Sequence, residues 1–109
     1  IQRTRSGGAE IVKLLKSGSA YYAPATSAIK MAESYLNNNK ELFPCSVYLE
    51  GEYGLSDTCM GVPAFIGANG VEDIIQIDFD KEEKAVFDQS AEAVNSLISA
   101  MKKILAKLT

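Results

Sequence analysis

The sequence predicts an α+β fold: a three-stranded antiparallel meander packed by helices, with two helical segments before it and a long helix after it. Three observations carry this reading. Residues 43–50 and 58–66 alternate apolar and polar with the period of two that marks a half-buried strand. Asn69-Gly70, the strongest short hairpin signal in the chain, joins the second of these runs to a third. Asp80 and Glu83 have the spacing of a capping box and open an apolar stripe of roughly seven helical turns.

With 109 residues, 47% of them hydrophobic, the chain can bury one core and is expected to form one domain. Within residues 4–16, Ile11, Val12, Leu14 and Leu15 follow helical spacing opposite Lys13 and Lys16, and Gly7-Gly8 predicts a kink or two short helices. In Ser17-Gly18-Ser19, Gly18 suits a left-handed C-terminal cap and Ser19 the N-cap of the next helix. That helix is expected over 20–37, with Ala25, Ala28, Ile29, Ala32, Tyr35 and Leu36 on one face and Asn37-Asn38-Asn39 as its polar stop. Pro24 falls in or just after its first turn, where a missing N–H costs little.

The first strand places Phe43, Cys45, Val47 and Leu49 on one face, and Gly51-Glu52-Tyr53-Gly54 reads as the turn. The second places Met60, Val62, Ala64 and Ile66 together, and Pro63 argues for an edge position or a bulge. A third strand is expected over 71–79 through Ile75, Ile77 and Phe79. Such a sheet needs helices over its apolar face. The last helix supplies a stripe of Phe87, Ala91, Val94, Leu97 or Ile98, Met101, Ile104 or Leu105, and Leu108, which reads as core-facing rather than as a membrane-surface helix. Lys102, Lys103 and Lys107 complement its C-terminal dipole.

Composition excludes several functions. The net charge of −3, with no basic stripe, argues against a nucleic-acid partner. No apolar run approaches the ~20 residues that cross a bilayer, and Ile1-Gln2-Arg3-Thr4-Arg5 lacks the apolar core of a signal peptide. No membrane partner is therefore expected, and a cytoplasmic location is. The chain opens at Ile1, without an initiator methionine, on helix-like sequence, which suggests a segment of something longer. Cys45 and Cys59 lie almost symmetrically about the turn at 51–54 and could face each other in a hairpin, although reduced, buried thiols are the preferred reading.

With no histidine in the sequence, a zinc or iron site is not expected, and no nucleophile has a histidine base. Glu50 with Glu52, and Glu82 with Glu83, lie at a turn and a helix start, where solvated or capping carboxylates belong. Gly67-Ala68-Asn69-Gly70 is a hairpin turn and not a phosphate-cradling loop. The crowded stretch Lys16-Ser17-Gly18-Ser19-Ala20-Tyr21-Tyr22-Ala23-Pro24-Ala25 is the remaining functional candidate. Its Tyr21-Tyr22 pair reads as a core or subunit contact before a ligand platform.

Taken in order, Arg3-Thr4-Arg5-Ser6-Gly7-Gly8-Ala9-Glu10-Ile11-Val12, Gly18-Ser19-Ala20-Tyr21-Tyr22-Ala23-Pro24-Ala25, Pro44-Cys45-Ser46-Val47-Tyr48-Leu49-Glu50-Gly51-Glu52-Tyr53-Gly54, Gly61-Val62-Pro63 and Gly67-Ala68-Asn69-Gly70-Val71-Glu72 resemble one family. They look like the C-terminal part of the lactate-dehydrogenase-like bacterial malate dehydrogenases, within the lactate/malate dehydrogenase family. The likeness covers essentially the whole chain. It implies that residues 1–109 are the C-terminal (substrate) domain and that an N-terminal NAD-binding domain precedes them, with the catalytic histidine, its aspartate partner and the substrate-gripping arginines upstream.

By the same resemblance the activity is reversible oxidation of malate to oxaloacetate by hydride transfer to NAD, a step of the tricarboxylic acid cycle, in a homo-oligomer (dimer or tetramer). Ala20 would then stand beside the substrate and Pro24 would back the nicotinamide ring, with no catalytic residue and no metal ligand in this chain. Arg3, Arg5, Tyr21 and Tyr22 are alternatives for subunit contacts. Two other readings stay open: the corresponding part of a lactate dehydrogenase, and a stand-alone, non-enzymatic dimerisation or ligand-binding module. Exposed apolar surface is expected where a second domain would pack.

Overall fold

A computed structural model describes residues 1–108. The order is α1 (Gln2–Arg5), α2 (Gly7–Leu15), α3 (Tyr22–Asn37), β1 (Glu41–Glu50), a 3-10 turn (Glu52–Gly54), β2 (Ser56–Gly67), β3 (Gly70–Ile74) and α4 (Lys81–Leu105). The strands form one antiparallel meander in the order β1-β2-β3. The α+β architecture is the one the sequence predicts, including the break between α1 and α2 at Ser6, beside Gly7-Gly8.

Strand parity sorts the two faces of the sheet. Val47, Leu49, Met60, Val62 and Ala64 are buried together under Ala91 of α4, with Cys45, Tyr53, Leu55, Ile74, Phe87 and Val94 packed around them. Tyr48, Glu50, Cys59 and Gly61 are exposed on the other face. The two cysteines therefore do not meet. Cys45 lies opposite Val62 and Cys59 opposite Tyr48. Both are free, and Cys59 is exposed rather than buried because its position has the parity of the outer face.

Pro63 sits neither on an edge strand nor at a bulge but in the central strand. It lies opposite Pro44, while its carbonyl accepts a hydrogen bond from Ile75 N at 2.9 Å on the β3 side. The Pro44–Pro63 rung is thereby the non-hydrogen-bonded kind, and neither missing N–H is needed between β1 and β2. Toward β3 the loss is felt. A normal residue at 63 would return a bond to the Ile75 carbonyl; the Tyr53 hydroxyl donates to that carbonyl instead, at 2.6 Å.

Regular pairing consequently ends at Ile74, and residues 75–79 do not continue the strand to Phe79 as expected. They are held by other means. Tyr53 Oη accepts from Ile77 N at 3.1 Å, and Tyr53 N donates to the Gln76 side chain at 2.8 Å. The rings of Tyr53, Phe79 and Phe87 meet with centroids 5.0–5.6 Å apart. This aromatic trio ties the turn, the irregular segment and the start of α4 together.

α4 begins with the predicted capping box: Asp80 accepts from the Glu82 and Glu83 amides, and Glu83 accepts from Asp80 N. Phe87, Ala91, Val94 and Ile98 are buried or half-buried, whereas Leu97, Met101, Ile104 and Leu105 are exposed, so the shielded stripe of the helix ends at Ile98 and its last turns overhang. α3 turns a different face to the sheet than its apolar one. Ser34 is buried and Met31 half-buried, while Ile29, Tyr35 and Leu36 are exposed. The accessible surface of 8506 Å² compares with about 5,900 Å² for a self-contained monomer of this mass. The radius of gyration of 16.6 Å likewise exceeds the ~13 Å of a compact chain of this length.

The core contains one orphaned polar atom. Thr58, 1% exposed and paired in register with Leu49, has no hydrogen-bond partner for Oγ1 among the described residues. Thr58→Val keeps the shape and removes the unmet group, so it should stabilise the fold by about 1 kcal/mol. Urea denaturation tests this: the midpoint should rise, and a lower midpoint would mean that the hydroxyl is satisfied in solution.

Candidate functional site

The candidate stretch is built by two left-handed residues in succession. α2 ends at Lys16, not at Gly18, with φ 62° and its amide bonded to the Val12 carbonyl. Gly18 then turns the chain a second time at φ +86°, and a Cβ there would lie 2.9 Å from the Tyr21 hydroxyl. The Tyr21 ring thus folds back over a position that only glycine fills comfortably. Ser19 does not cap α3. The N-cap is Tyr21, with no side-chain cap bond, and Ser19 stands two residues too early to reach the first turn.

Pro24 is the third residue of α3, within the first turn as expected, where no N–H is called for. The first helical bond runs from Ala25 N to the Tyr21 carbonyl at 3.0 Å. Thr26 and Ser27 donate back to the Tyr22 and Ala23 carbonyls at 2.9 and 3.0 Å. Ala20 is half-buried; Pro24 is exposed, as are Tyr21 (62%) and Tyr22 (88%). Residues 17–29 contain no charged side chain. Ala20, just before α3, and Pro24, in its first turn, thus lie in a stretch without charge at the N-terminal end of that helix. Of the alternative contact residues, Arg3 makes a two-pronged ion pair with Glu10 at 2.9 and 3.0 Å, and Arg5 lines a shallow cleft with Glu82, Glu83 and Phe87.

The other end of α3 is fastened by residues that sequence reasoning passed over. Ser34 Oγ donates to the Ile66 carbonyl at 2.6 Å and accepts from Glu41 N at 3.1 Å. Asn38, in the left-handed region at φ 52°, accepts from Ala68 N through Oδ1 at 3.0 Å. Lys40 Nζ pairs with Glu72 at 2.9 Å, and that bond holds the Glu72 carboxyl below the usual carboxylate range. The one signal available was Asn38 itself, a residue tolerant of the left-handed region, in what reads as a simple polar stop.

Among the described residues, the titratable groups with a resolved shift are each held by burial or by a hydrogen bond. The Tyr48 hydroxyl donates to Asp57 at 2.7 Å, and that hydrogen bond pushes the phenol up from its ordinary value, so it holds its proton. Burial pushes the Cys45 thiol up. Glu52 is engaged by the Glu50 amide at 2.8 Å, which lowers it and makes it a turn carboxylate, as expected. Among the described residues no cluster of metal-ligating side chains occurs, and no helix is long and apolar enough to cross a membrane. The start of α3 offers an uncharged surface, and the sequence has no histidine.

Comparison with known proteins agrees with this picture. Residues 1–107 match the family described as lactate/malate dehydrogenase, alpha/beta C-terminal domain. A malate dehydrogenase of Xanthobacter autotrophicus is 60% identical over 104 residues, which are 95% of this chain and 32% of that protein. The malate dehydrogenase structure from Salinibacter ruber superposes with a TM-score of 0.90 at 42% identity, over 98% of this chain and 35% of that one. The lactate dehydrogenase of Eimeria maxima, crystallised with NADH and oxamate, gives 0.81 at 45% identity, over 98% and 32%. The chain spans about a third of the length of the curated relatives it matches. A match along nearly every residue, on the same helices and meander, shows that the chain belongs to the lactate/malate dehydrogenase family and corresponds to its alpha/beta C-terminal domain.

Proposed function

We infer that this chain is the C-terminal part of an NAD-dependent malate dehydrogenase and supplies one wall of its active site. The observation that carries the reading is the uncharged wall at the start of α3, where Ala20 is half-buried and Pro24 exposed. Accepting a hydride from the malate carbon is the chemistry that NAD supplies when bound. Pro24 fits beside a nicotinamide ring because its side chain offers an apolar face with no polar atom, which keeps water from the reacting side. Ala20, small and partly shielded, leaves room for a substrate against the backbone. No residue of this chain takes the hydroxyl proton; in this proposal a histidine of an N-terminal NAD-binding domain does so.

The exposed apolar stripe of α3 and the overhanging last turns of α4 support two further parts of the proposal. They fit the packing of that second domain and the assembly of a cytoplasmic homo-oligomer, a dimer or tetramer. The 60% identity to a malate dehydrogenase supports malate over lactate as substrate; the 45% identity to the Eimeria maxima lactate dehydrogenase keeps lactate as the second reading. Following NADH oxidation by the complete protein with oxaloacetate and with pyruvate decides between them. Oxaloacetate should be favoured in kcat/KM by more than about 10²-fold, because a site built to bind a second carboxylate rejects a substrate that lacks it. A preference for pyruvate overturns the malate assignment.

A further inference from the structure

α3 carries the wall at one end and is anchored at the other. Of its 16 residues only Ser34 is buried, and Met31 is half-buried. Its apolar stripe does not face the sheet, so packing alone does not set its direction. What sets it is polar and directional. Ser34 bridges the Ile66 carbonyl of β2 and the Glu41 amide of β1, while Asn38 takes the Ala68 amide of the β2–β3 turn. The Lys40–Glu72 ion pair closes the same junction, and Glu72 in turn accepts from the Asn69 amide and side chain at 3.4 and 3.3 Å.

Each bond fixes a different freedom of the helix. The Ser34 hydroxyl, donating to one strand and accepting from its neighbour, fixes rotation about the axis. Asn38, in the left-handed conformation that ends the helix, fixes the axial position against the hairpin. Gly67 shows how closely the parts are fitted: a Cβ there would stand 3.0 Å from Asn38 Oδ1 and closer still to the Glu72 carboxylate. Pro24 lies ten residues from Ser34, about 15 Å along the helix at its usual rise. A tilt of about 4° at the junction then moves Pro24 by about 1 Å, and a displacement of that size can cost on the order of 10²-fold in rate.

We propose that Ser34 and Asn38 are positioning residues for hydride transfer: the clamp that they form at the C-terminal end of α3 aims the Ala20–Pro24 wall at the reacting groups. This rests on the dehydrogenase reading above. The clamp is remote from the wall and needs no contact with substrate or cofactor. It acts on geometry, so its loss should slow the chemical step more than it weakens binding.

The test uses the complete enzyme with Ser34→Ala, Asn38→Gly and Asn38→Asp. Asn38→Gly keeps the left-handed backbone and removes only the acceptor; Asn38→Asp restores an acceptor at the same place. Steady-state kinetics with oxaloacetate and NADH would be compared with rates using NADH deuterated at the transferred position. Ser34→Ala and Asn38→Gly should each lower kcat about tenfold or more, with a smaller change in KM and a larger deuterium isotope effect as hydride transfer becomes limiting.

Asn38→Asp should return kcat and the isotope effect to near the wild-type values. If Ser34→Ala does not fold, because two backbone groups lose their partner, the Asn38 pair still decides. Wild-type kcat and isotope effect in Asn38→Gly, whatever its melting temperature, overturn the proposal and leave the clamp a purely structural device. Absence of turnover with both oxaloacetate and pyruvate in the unmodified enzyme overturns the dehydrogenase reading instead, so the two failures are told apart by the wild-type control.

Discussion

Leu49→Ala should unfold a large fraction of the 109-residue chain, at a cost of roughly 2–5 kcal/mol. Leu49 is fully buried at 0% exposure, in a core with few members: Val47, Met60, Val62, Ala64 and Ala91 complete its cluster. Its rung partner Thr58 offers the vacated space a single unmet hydroxyl, fewer than the two to four polar partners that hold a buried water, so truncation leaves a mostly apolar cavity. The stability of a typical domain is itself only about 5–15 kcal/mol, and a chain with this much exposed surface belongs at the lower end. Leu36→Ala makes the contrast. Leu36 is 77% exposed, and its truncation should change the stability of the same polypeptide by no more than about 0.5 kcal/mol. Circular dichroism melts of both variants decide the matter; a Leu49→Ala chain as stable as Leu36→Ala would mean that the sheet face is not the core.

The sheet was legible in the sequence because strand patterning has a period of two and one face is dry. Parity alone places Val47, Leu49, Met60, Val62 and Ala64 on the inner face, and the same parity puts Cys59, next to Met60, on the face opposite Cys45. Symmetry about the turn is the misleading cue for the cysteines, since it says nothing about which face each one occupies. The third strand was overextended because its end is set by a residue on its neighbour. Ile75 to Phe79 read as strand by themselves, but Pro63 cannot return the bond that would continue the pairing.

The helices were legible in existence and in extent but less so in orientation. The apolar stripe of α3 is a real amphipathic signal that points away from this sheet, and a pattern does not say which surface will meet it. The start of α3 is visible in the sequence as an uncharged, proline-bearing stretch. Its support is not, since Ser34 and Asn38 act through bonds to residues about 30 positions away, and polar partners at long range leave no periodic trace.

A further expectation is that the 109-residue polypeptide alone shows no oxaloacetate-dependent NADH oxidation and self-associates. The first part follows from chemistry. Malate oxidation needs a group that takes the hydroxyl proton near neutral pH, the chain has no histidine, and the Tyr48 and Cys45 protons are held more tightly than usual. The second follows from area. The surface exceeds that of a self-contained monomer by about 2,600 Å², and Ile29, Leu36, Leu97 and Met101 contribute to it at 52–77% exposure. An excess of that size is about three times the ~800 Å² that one partner contributes to a standard protein–protein interface. With nothing else in solution to cover it, a second copy is the available partner. Light scattering across a concentration series should therefore report a mass that climbs above the monomer. Replacing Leu36 and Leu97 with glutamate together should bring it back, because each puts a charge at a site the association must dehydrate. A clean monomer at high concentration would show that these helix faces tolerate water as they stand. Measurable turnover from the polypeptide alone would move the proton-transfer group into this chain and overturn the assignment of its role as a wall.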